Sequence, residues 1–538
     1  MPGRDRAQGA AFSGRSERAA DVQDRIEQVA CTRHRGPGRG GVMRLTIAEA
    51  VAVRALSHPD RVAIREMGGD SLTYGQVWRR VLALAGPLAG CPAGPHGRMV
   101  GLLLPNGADA ALAYLACQVA GVTAVPLNSR LAEPELAFIL DDSGTGLVLT
   151  DGALAEVAAR IAGARRVLRS SDLPTPENAE RPLLGEGGRG EAPAAIAYTS
   201  GTTGLPKGAI WSNDHFLVQI MRWGWEFGLT ADTVMLVPGP LFHLSYCGLT
   251  LGALCMGAQA LVMPAFDPAA ALDAFCADAA FAFLVPAMTG AILEEWAARG
   301  EPDIPAARFI ISSGAPGPLA MTQKAMRMFR HARVAEAYGW TEGGWCTFEV
   351  KDPATLLAHS VGWPTFGNEV QVFGADGEPA APGEPGEVGV KSLTHFGGYL
   401  GRPEATEAAW HRGYAMSGDI GIWQPDGRLC IVDRKKDMII TGGENVYTAE
   451  VERVLHDHPQ VLEAAVVGLP DARWGERVCA MVVARAPAPD ASELTAFCRR
   501  HLAAYKVPKQ VEIRAELPRN SMGKVQKFRI VEALTGAG

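Results

Sequence analysis

Between Tyr198 and Gly208 the chain reads Tyr-Thr-Ser-Gly-Thr-Thr-Gly-Leu-Pro-Lys-Gly. Four hydroxyls (Thr199, Ser200, Thr202, Thr203), three glycines (Gly201, Gly204, Gly208) and one cation, Lys207, fall within eleven residues. Glycine lets a backbone turn and come close to a ligand. Hydroxyls and successive N–H groups form a nest for anionic oxygens, and a lysine adds a mobile point charge. The chemistry that needs this set is the binding of phosphates. The common phosphate loop Gly-x-x-x-x-Gly-Lys-Ser/Thr is not met, because Pro206 precedes Lys207 and Gly208 follows it. A polar surface turn is the plain alternative, and this density of hydroxyls and glycines argues against it.

Further groups able to do chemistry follow in order. Leu241-Phe242-His243 precedes an apolar helix. Phe309-Ile310-Ile311-Ser312-Ser313-Gly314-Ala315-Pro316 is a strand running into a turn of small residues, which a flat ring could approach. Tyr338-Gly339-Trp340-Thr341-Glu342 places an aromatic ring, a hydroxyl and a carboxylate together, read here as an αβ loop. Ser417-Gly418-Asp419 supplies a carboxylate after a glycine turn. Asp433-Arg434-Lys435-Lys436-Asp437 is a charge run, which is usually a solvated face. Gly442 and Gly443 permit close passage of a thin chain, and Arg473-Trp474 sits in a polar turn. Lys524 closes a glycine-bearing loop near the end.

In this order the motifs resemble those of the adenylate-forming, AMP-binding superfamily of acyl- and aryl-CoA synthetases, adenylation domains and luciferases. The acyl-CoA synthetase or fatty-acid–CoA ligase branch fits best, and the resemblance spans about residues 45 to 530. It implies that Thr199, Ser200, Gly201, Thr202, Thr203, Gly204 and Lys207 hold ATP phosphates, and that Gly314, Ala315 and Pro316 face adenine. Tyr338 would stack on the base beside Gly339, Thr341 would bond the α-phosphate, and Glu342 would hold Mg²⁺. Asp419 and Arg434 would take the ribose. Lys524 is the implied catalytic lysine, with Thr202, Lys207, His243 and Glu342 sharing the catalytic work. Lys436 is the implied hinge; Gly442, Gly443, Arg473 and Trp474 would border CoA. Phe242, His243, Ser245, Tyr246, Val285, Met288 and Trp340 would wall the acyl pocket. The implied reaction joins a carboxylic acid to ATP, giving acyl-AMP and pyrophosphate, then forms a thioester with CoA. The alternative is transfer to a carrier protein or another acceptor.

The elements that must position these groups alternate. Examples are strand 100–104, helix 108–120 and strand 123–126, a βαβ order pointing to an α/β core. Past about residue 360 glycine and proline become dense and strands short (387–391, 429–432), which reads as a β-rich subdomain. Then comes a small α+β unit: helix 449–457, strands 464–468 and 478–485, helix 492–505. The expectation is an α/β fold with a large N-terminal domain (43–434) and a small mobile C-terminal domain (435–532).

Composition bounds the rest. With 48% apolar residues a large core is possible, and 51 basic against 58 acidic side chains, net −7, give no basic footprint for nucleic acid. The stretch 245–266 is broken by three glycines and Pro264, so a buried helix followed by strand 260–263 is expected rather than a membrane span. Ten scattered cysteines without CxxC spacing suggest free thiols and a cytoplasmic setting. Residues 1–42, with eight arginines and five acidic residues, are expected to be a disordered tail or to precede a true start at Met43. Small-molecule acid, ATP and CoA are the expected partners, with a homodimer among the compatible assemblies.

Overall fold

The computed structural model describes residues 46–173, 190–199, 206–315, 317–442, 444–519 and 525–535. The tail expected at 1–42 lies outside them, as do Ser200, Gly201, Thr202, Thr203, Gly204, Pro316, Gly443 and Lys524.

Two sheets with parallel cores build the large unit. One has six strands, ordered Arg166–Arg169, Leu147–Thr150, Met99–Leu103, Thr123–Pro126, Pro193–Thr199, Lys207–Ser212. All neighbours run parallel except the last pair, which is antiparallel. Met99–Leu103, Thr123–Pro126 and Leu147–Thr150 are buried throughout. Continuous apolar runs are what a parallel sheet covered on both faces demands. The helix Ala108–Ala120 is buried on nearly every side, so its sequence is apolar all round. It ends on Gly121 at φ +67, a left-handed cap that glycine allows without strain.

The second sheet has fourteen strands. Val62–Glu66, Gln259–Val262, Val234–Val237, Phe281–Leu284, Phe309–Ser312 and Arg333–Trp340 run parallel. From Gly344–Val350 onward every pairing is antiparallel, through Ser360–Pro364, Leu429–Arg434, Tyr414–Trp423, Gly386–Ser392 and Asn368–Phe373. The β-rich region expected after about residue 360 is therefore an extension of the α/β sheet rather than a layer apart. The two are joined edge to edge, a long-range pairing that strand-by-strand texture does not carry.

The C-terminal unit has a five-stranded sheet of its own, with Thr448–His456, Ala491–His501 and Lys527–Thr535 as its helices. Its core, with Val451, Val466, Val478 and Leu494, is separate from the cores of the large unit. Helix 492–505 as expected overruns the observed Ala491–His501, because Leu502 is already extended. Among the described residues no helix is long and apolar enough to cross a membrane. The stretch from Ser245 instead forms the buried helix Leu244–Met256 and the strand Gln259–Val262.

Candidate active site

Thr199 and Lys207 face each other across the antiparallel pair Pro193–Thr199 and Lys207–Ser212. Thr199 and Lys207 thus stand together at one end of an antiparallel pair whose second strand is the edge of the six-stranded sheet. Gly208 lies in the return strand, not in the turn. A Cβ there would sit 2.7 Å from Ile196 Cγ2 and 3.1 Å from the Tyr198 ring. Its glycine is needed for strand contact.

The segment expected as an αβ loop is a second hairpin. Tyr338, Gly339 and Trp340 end the strand Arg333–Trp340, and the chain turns back into Gly344–Val350. The turn therefore carries Thr341 and Glu342 at the place where the large sheet changes from parallel to antiparallel. A Cβ on Gly339 would stand 2.0 Å from the Gly344 oxygen, so only glycine allows this tight return. The pair Gly343-Gly344 was the local sign of it.

The two hairpins are tied together. Trp211 donates its indole N–H to the Thr341 carbonyl at 2.9 Å. Thr199 donates from Oγ1 to Glu342 Oε1 at 3.3 Å, and the Tyr399 hydroxyl donates to the same oxygen at 2.7 Å. Lys207 Nζ lies 5.3 Å from the centroid of the Tyr399 ring. Burial, and then the Glu342 charge, push the Tyr399 phenol well above its ordinary value, so it remains a donor. Sequence reasoning missed both Trp211 and Tyr399.

A second polar cluster lies on the same sheet. Asp419 and Arg434 are cross-strand partners, with Nε to Oδ1 at 2.7 Å. The Tyr338 hydroxyl donates to Asp419 Oδ2 at 2.8 Å. Asp419 is buried, and burial followed by the Asp419 charge drives the Tyr338 phenol far upward. Gly418 at φ +70 turns the strand just before Asp419. Gly314 at φ +88 and Ala315 follow the strand Phe309–Ser312, which pairs in parallel with the strand that ends in Tyr338, and both are exposed.

His243 caps the helix Leu244–Met256, accepting from the Ser245 N–H at 3.3 Å. Burial lowers its pKa to about 4, so the imidazole is neutral at neutral pH. Phe242 and Ser245 flank it, half-buried. Tyr246 stands edge-on to Phe283 at 4.9 Å and donates weakly to Met288 Sδ at 3.5 Å. A Cβ on Gly239 would collide with the Tyr246 ring at 2.0 Å, so the ring lies flat on bare backbone. Val285 precedes the helix Pro286–Ala298, and its Cγ1 lies 3.3 Å from where a Cβ on Gly314 would stand. Trp340 covers Gly343, and its buried indole N–H has no partner among the described residues.

Beyond Arg434 the chain makes the turn that holds Lys436, which is exposed. Lys435 is anchored on both sides of it, N–H to the Gly418 carbonyl at 2.9 Å and Nζ to Glu387 at 2.7 Å. Asp433 caps the small unit's helix Thr448–His456, accepting from the Thr448 N–H and, at 3.0 Å, from its hydroxyl. Lys527 donates to that hydroxyl at 2.5 Å. Gly442, at φ +61, donates to the Trp474 carbonyl at 2.8 Å. Arg473 lies over the Trp474 ring at 4.7 Å, so these three residues gather on one surface of the small unit. Arg519 and Val525, which flank residues 520–524 in the sequence, form an antiparallel bridge.

Comparison with known proteins agrees on what this arrangement is. The AMP-binding enzyme family matches residues 51–400, and its C-terminal domain, described as AMP-binding enzyme C-terminal domain, matches 450–524. A feruloyl-CoA synthase of an Amycolatopsis species is 38% identical, over 89% of this chain and 96% of its own length. The long-chain-fatty-acid–CoA ligase FadD13 of Mycobacterium tuberculosis is 34% identical, over 80% of this chain and 87% of its own. Among solved structures, the o-succinylbenzoate CoA synthetase MenE of Bacillus subtilis, in complex with its acyl-adenylate intermediate, superposes with a TM-score of 0.79 at 28% identity. That match covers 91% of this chain and 98% of that one.

Proposed function

Because the chain belongs to the AMP-binding enzyme family, in its acyl-CoA synthetase branch, we propose that it activates an aryl-substituted carboxylic acid at the site described. It is an acid–thiol ligase that works through acyl-AMP. The acid's carboxylate oxygen bonds to the α-phosphorus of ATP as the bond to the pyrophosphate oxygen breaks. The CoA thiol then attacks the acyl carbon, AMP leaves, and the thiol proton is lost.

Two anions meet in the first step, so the chain's contribution is charge offset and positioning. In this reading Lys207 and the hairpin hydroxyls take the β- and γ-phosphates, and Thr341 and Lys524 take the α-phosphate. The base lies between Tyr338 and Gly314–Ala315, with Asp419 and Arg434 on the ribose. Glu342 offers one carboxylate to a divalent cation, supported among the described residues by hydroxyls alone. One carboxylate plus nucleotide phosphates is a usual arrangement for Mg²⁺. When bound, Mg²⁺ would neutralise charge on the departing pyrophosphate.

The second step needs another surface at the same acyl carbon. We assign the hinge to Lys436, between the large domain (43–434) and the small one (435–532), with Gly442, Arg473 and Trp474 meeting CoA. A reducing, cytoplasmic setting agrees with nine unpaired cysteines among the described residues.

The observation that carries the acid's class is the run of rings His243, Tyr246 and Phe283, with successive centroids 6.5 and 4.9 Å apart. Two aromatic rings and a neutral imidazole favour stacking and edge contacts with an aromatic acid. Among the described residues the Tyr246 hydroxyl has only a thioether sulfur as acceptor, which leaves it free to bond a polar ring substituent. The similarity to a feruloyl-CoA synthase supports the same class.

The test is pyrophosphate release across cinnamic, benzoic and alkyl acids, with and without CoA. Hydroxycinnamate-type acids should give the highest kcat/KM, with AMP and thioester formed together. A preference for unbranched alkyl acids would overturn the acid class. Adenylate made but not passed to CoA would point to another acceptor.

A further inference from the structure

Tyr399 touches both ends of the phosphate-binding machinery and belongs to none of the motifs read in the sequence. Its hydroxyl donates to Glu342 Oε1 at 2.7 Å, while its ring carries Lys207 Nζ at 5.3 Å from the centroid. The main chain around it is stitched to both hairpins. Gly397 N–H bonds the Ile210 carbonyl at 2.7 Å, Ile210 N–H the Gly398 carbonyl at 3.0 Å, and Leu400 N–H the Gly208 carbonyl at 2.8 Å. On the other side Phe396 N–H bonds the Glu342 carbonyl at 3.0 Å. Gly398, at φ +106 and 2.7 Å from Thr406 Cγ2 at its Cβ position, allows the approach.

We propose that Tyr399 is a positioning residue that holds Glu342 and Lys207 apart and presents Glu342 to the divalent cation of ATP. The inference rests on the reading of Glu342 as that cation's carboxylate. A lysine and a glutamate at one site would otherwise pair, and each would be lost to the ligand it is meant to meet. Here the ring face takes the ammonium and the hydroxyl takes the carboxylate. The ring's hold on Lys207 is weak enough to be given up to a phosphate. With Thr199 at 3.3 Å, two hydroxyls from different segments fix Oε1. Oε2 is left without a protein partner among the described residues, and the carboxylate has little rotational freedom to lose on binding.

The experiment uses the full chain with Tyr399→Phe, which keeps the ring and removes the hydroxyl, and Glu342→Gln alongside. Affinity for ATP is measured by titration calorimetry with and without Mg²⁺, together with melting temperature. Tyr399→Phe should weaken Mg²⁺–ATP binding about tenfold, the worth of one hydrogen bond to a charged group. Metal-free ATP binding and melting temperature should be unchanged, and Glu342→Gln should show the same metal-specific loss, larger. Equal losses with and without metal, or no loss in Tyr399→Phe while Glu342→Gln shows one, would overturn the role of Tyr399. No metal-specific loss in Glu342→Gln would overturn the underlying reading of Glu342 and the proposal with it.

Discussion

Tyr338 and Asp419 are joined by a 2.8 Å hydrogen bond between the end of a parallel strand and the middle of an antiparallel one, 81 residues apart in the chain. The bond orients a buried carboxylate whose other oxygen is taken by Arg434 at 2.7 Å. Tyr338→Phe should therefore keep the ring face and lose the orientation. Expected is a rise in KM for ATP of about five- to tenfold with kcat little changed, the size of a hydrogen bond to a charged group. Steady-state pyrophosphate release checks it, and an unchanged KM would separate Tyr338 from ribose positioning.

Lys524→Ala and Gly442→Ala should fail in opposite halves of the reaction. Without Lys524, adenylate formation should slow by about 10²–10³, as for other lost charge-stabilising donors. Thioester formation from supplied acyl-AMP should survive. Gly442→Ala puts a Cβ at φ +61 and 2.9 Å from the Trp474 ring, so Trp474 must shift. The strain costs about 1 kcal/mol. KM for CoA should rise while pyrophosphate exchange is kept. Single-turnover assays of each half would show parallel losses if these assignments are wrong.

His243 supplies a pH signature. Its pKa is about 4 in the folded chain against an ordinary 6.5. The unfolded chain therefore takes up this proton first as pH falls, and the folded state loses stability from pH 6.5 down toward 4. Above 6.5 the stability is whole. His243→Gln removes this term. Relative to wild type the variant should gain up to about 2 kcal/mol at pH 5 compared with pH 7. Denaturant unfolding at both pH values measures it, and an identical difference at the two would refute it.

Lys351 is almost wholly enclosed and pairs with Glu336 at 2.6 Å and Glu349 at 2.7 Å. Arg428 closes the cluster on Glu349 at 3.0 Å. Glu336 lies two residues before Tyr338, so the network braces the strand that carries the aromatic face. Burial raises the Glu336 pKa, with Lys351 opposing. Lys351→Met would leave Glu336 without its cation and Glu349 with Arg428 alone, and should destabilise the fold by about 3–5 kcal/mol. A melting curve close to wild type would show that water or rearrangement replaces the lysine.

Local signals were legible in proportion to how local the cause was. Helix Ala108–Ala120 and strand Thr123–Pro126 follow from short-range apolar pattern and a glycine cap, and both stand where the pattern puts them. Asp419 and Arg434 could be picked out by resemblance, yet nothing in their neighbourhoods says that they face each other across a ladder. Tyr399 meets Glu342 over 57 residues, and Trp211 meets Thr341 over 130. Such partners are chosen by sheet register, which one chain's composition does not display. The Glu342 turn reads as an αβ loop in the sequence but is a β-hairpin, because its two strands differ in kind. One pairs in parallel with Phe309–Ser312 and shows no clean alternation, and the other is its antiparallel return.

Asp433 belongs to the large sheet, and the helix it caps belongs to the C-terminal unit. The swing proposed about Lys436 would pull that carboxylate off the helix end and leave two donors of Thr448 to find water. The closed junction is worth about 1 kcal/mol as a cap alone, and Lys527 adds charge to it. If the proposed hinge operates, the enzyme is tilted toward one of two postures before any substrate arrives, and turnover would have to overcome that tilt once per cycle.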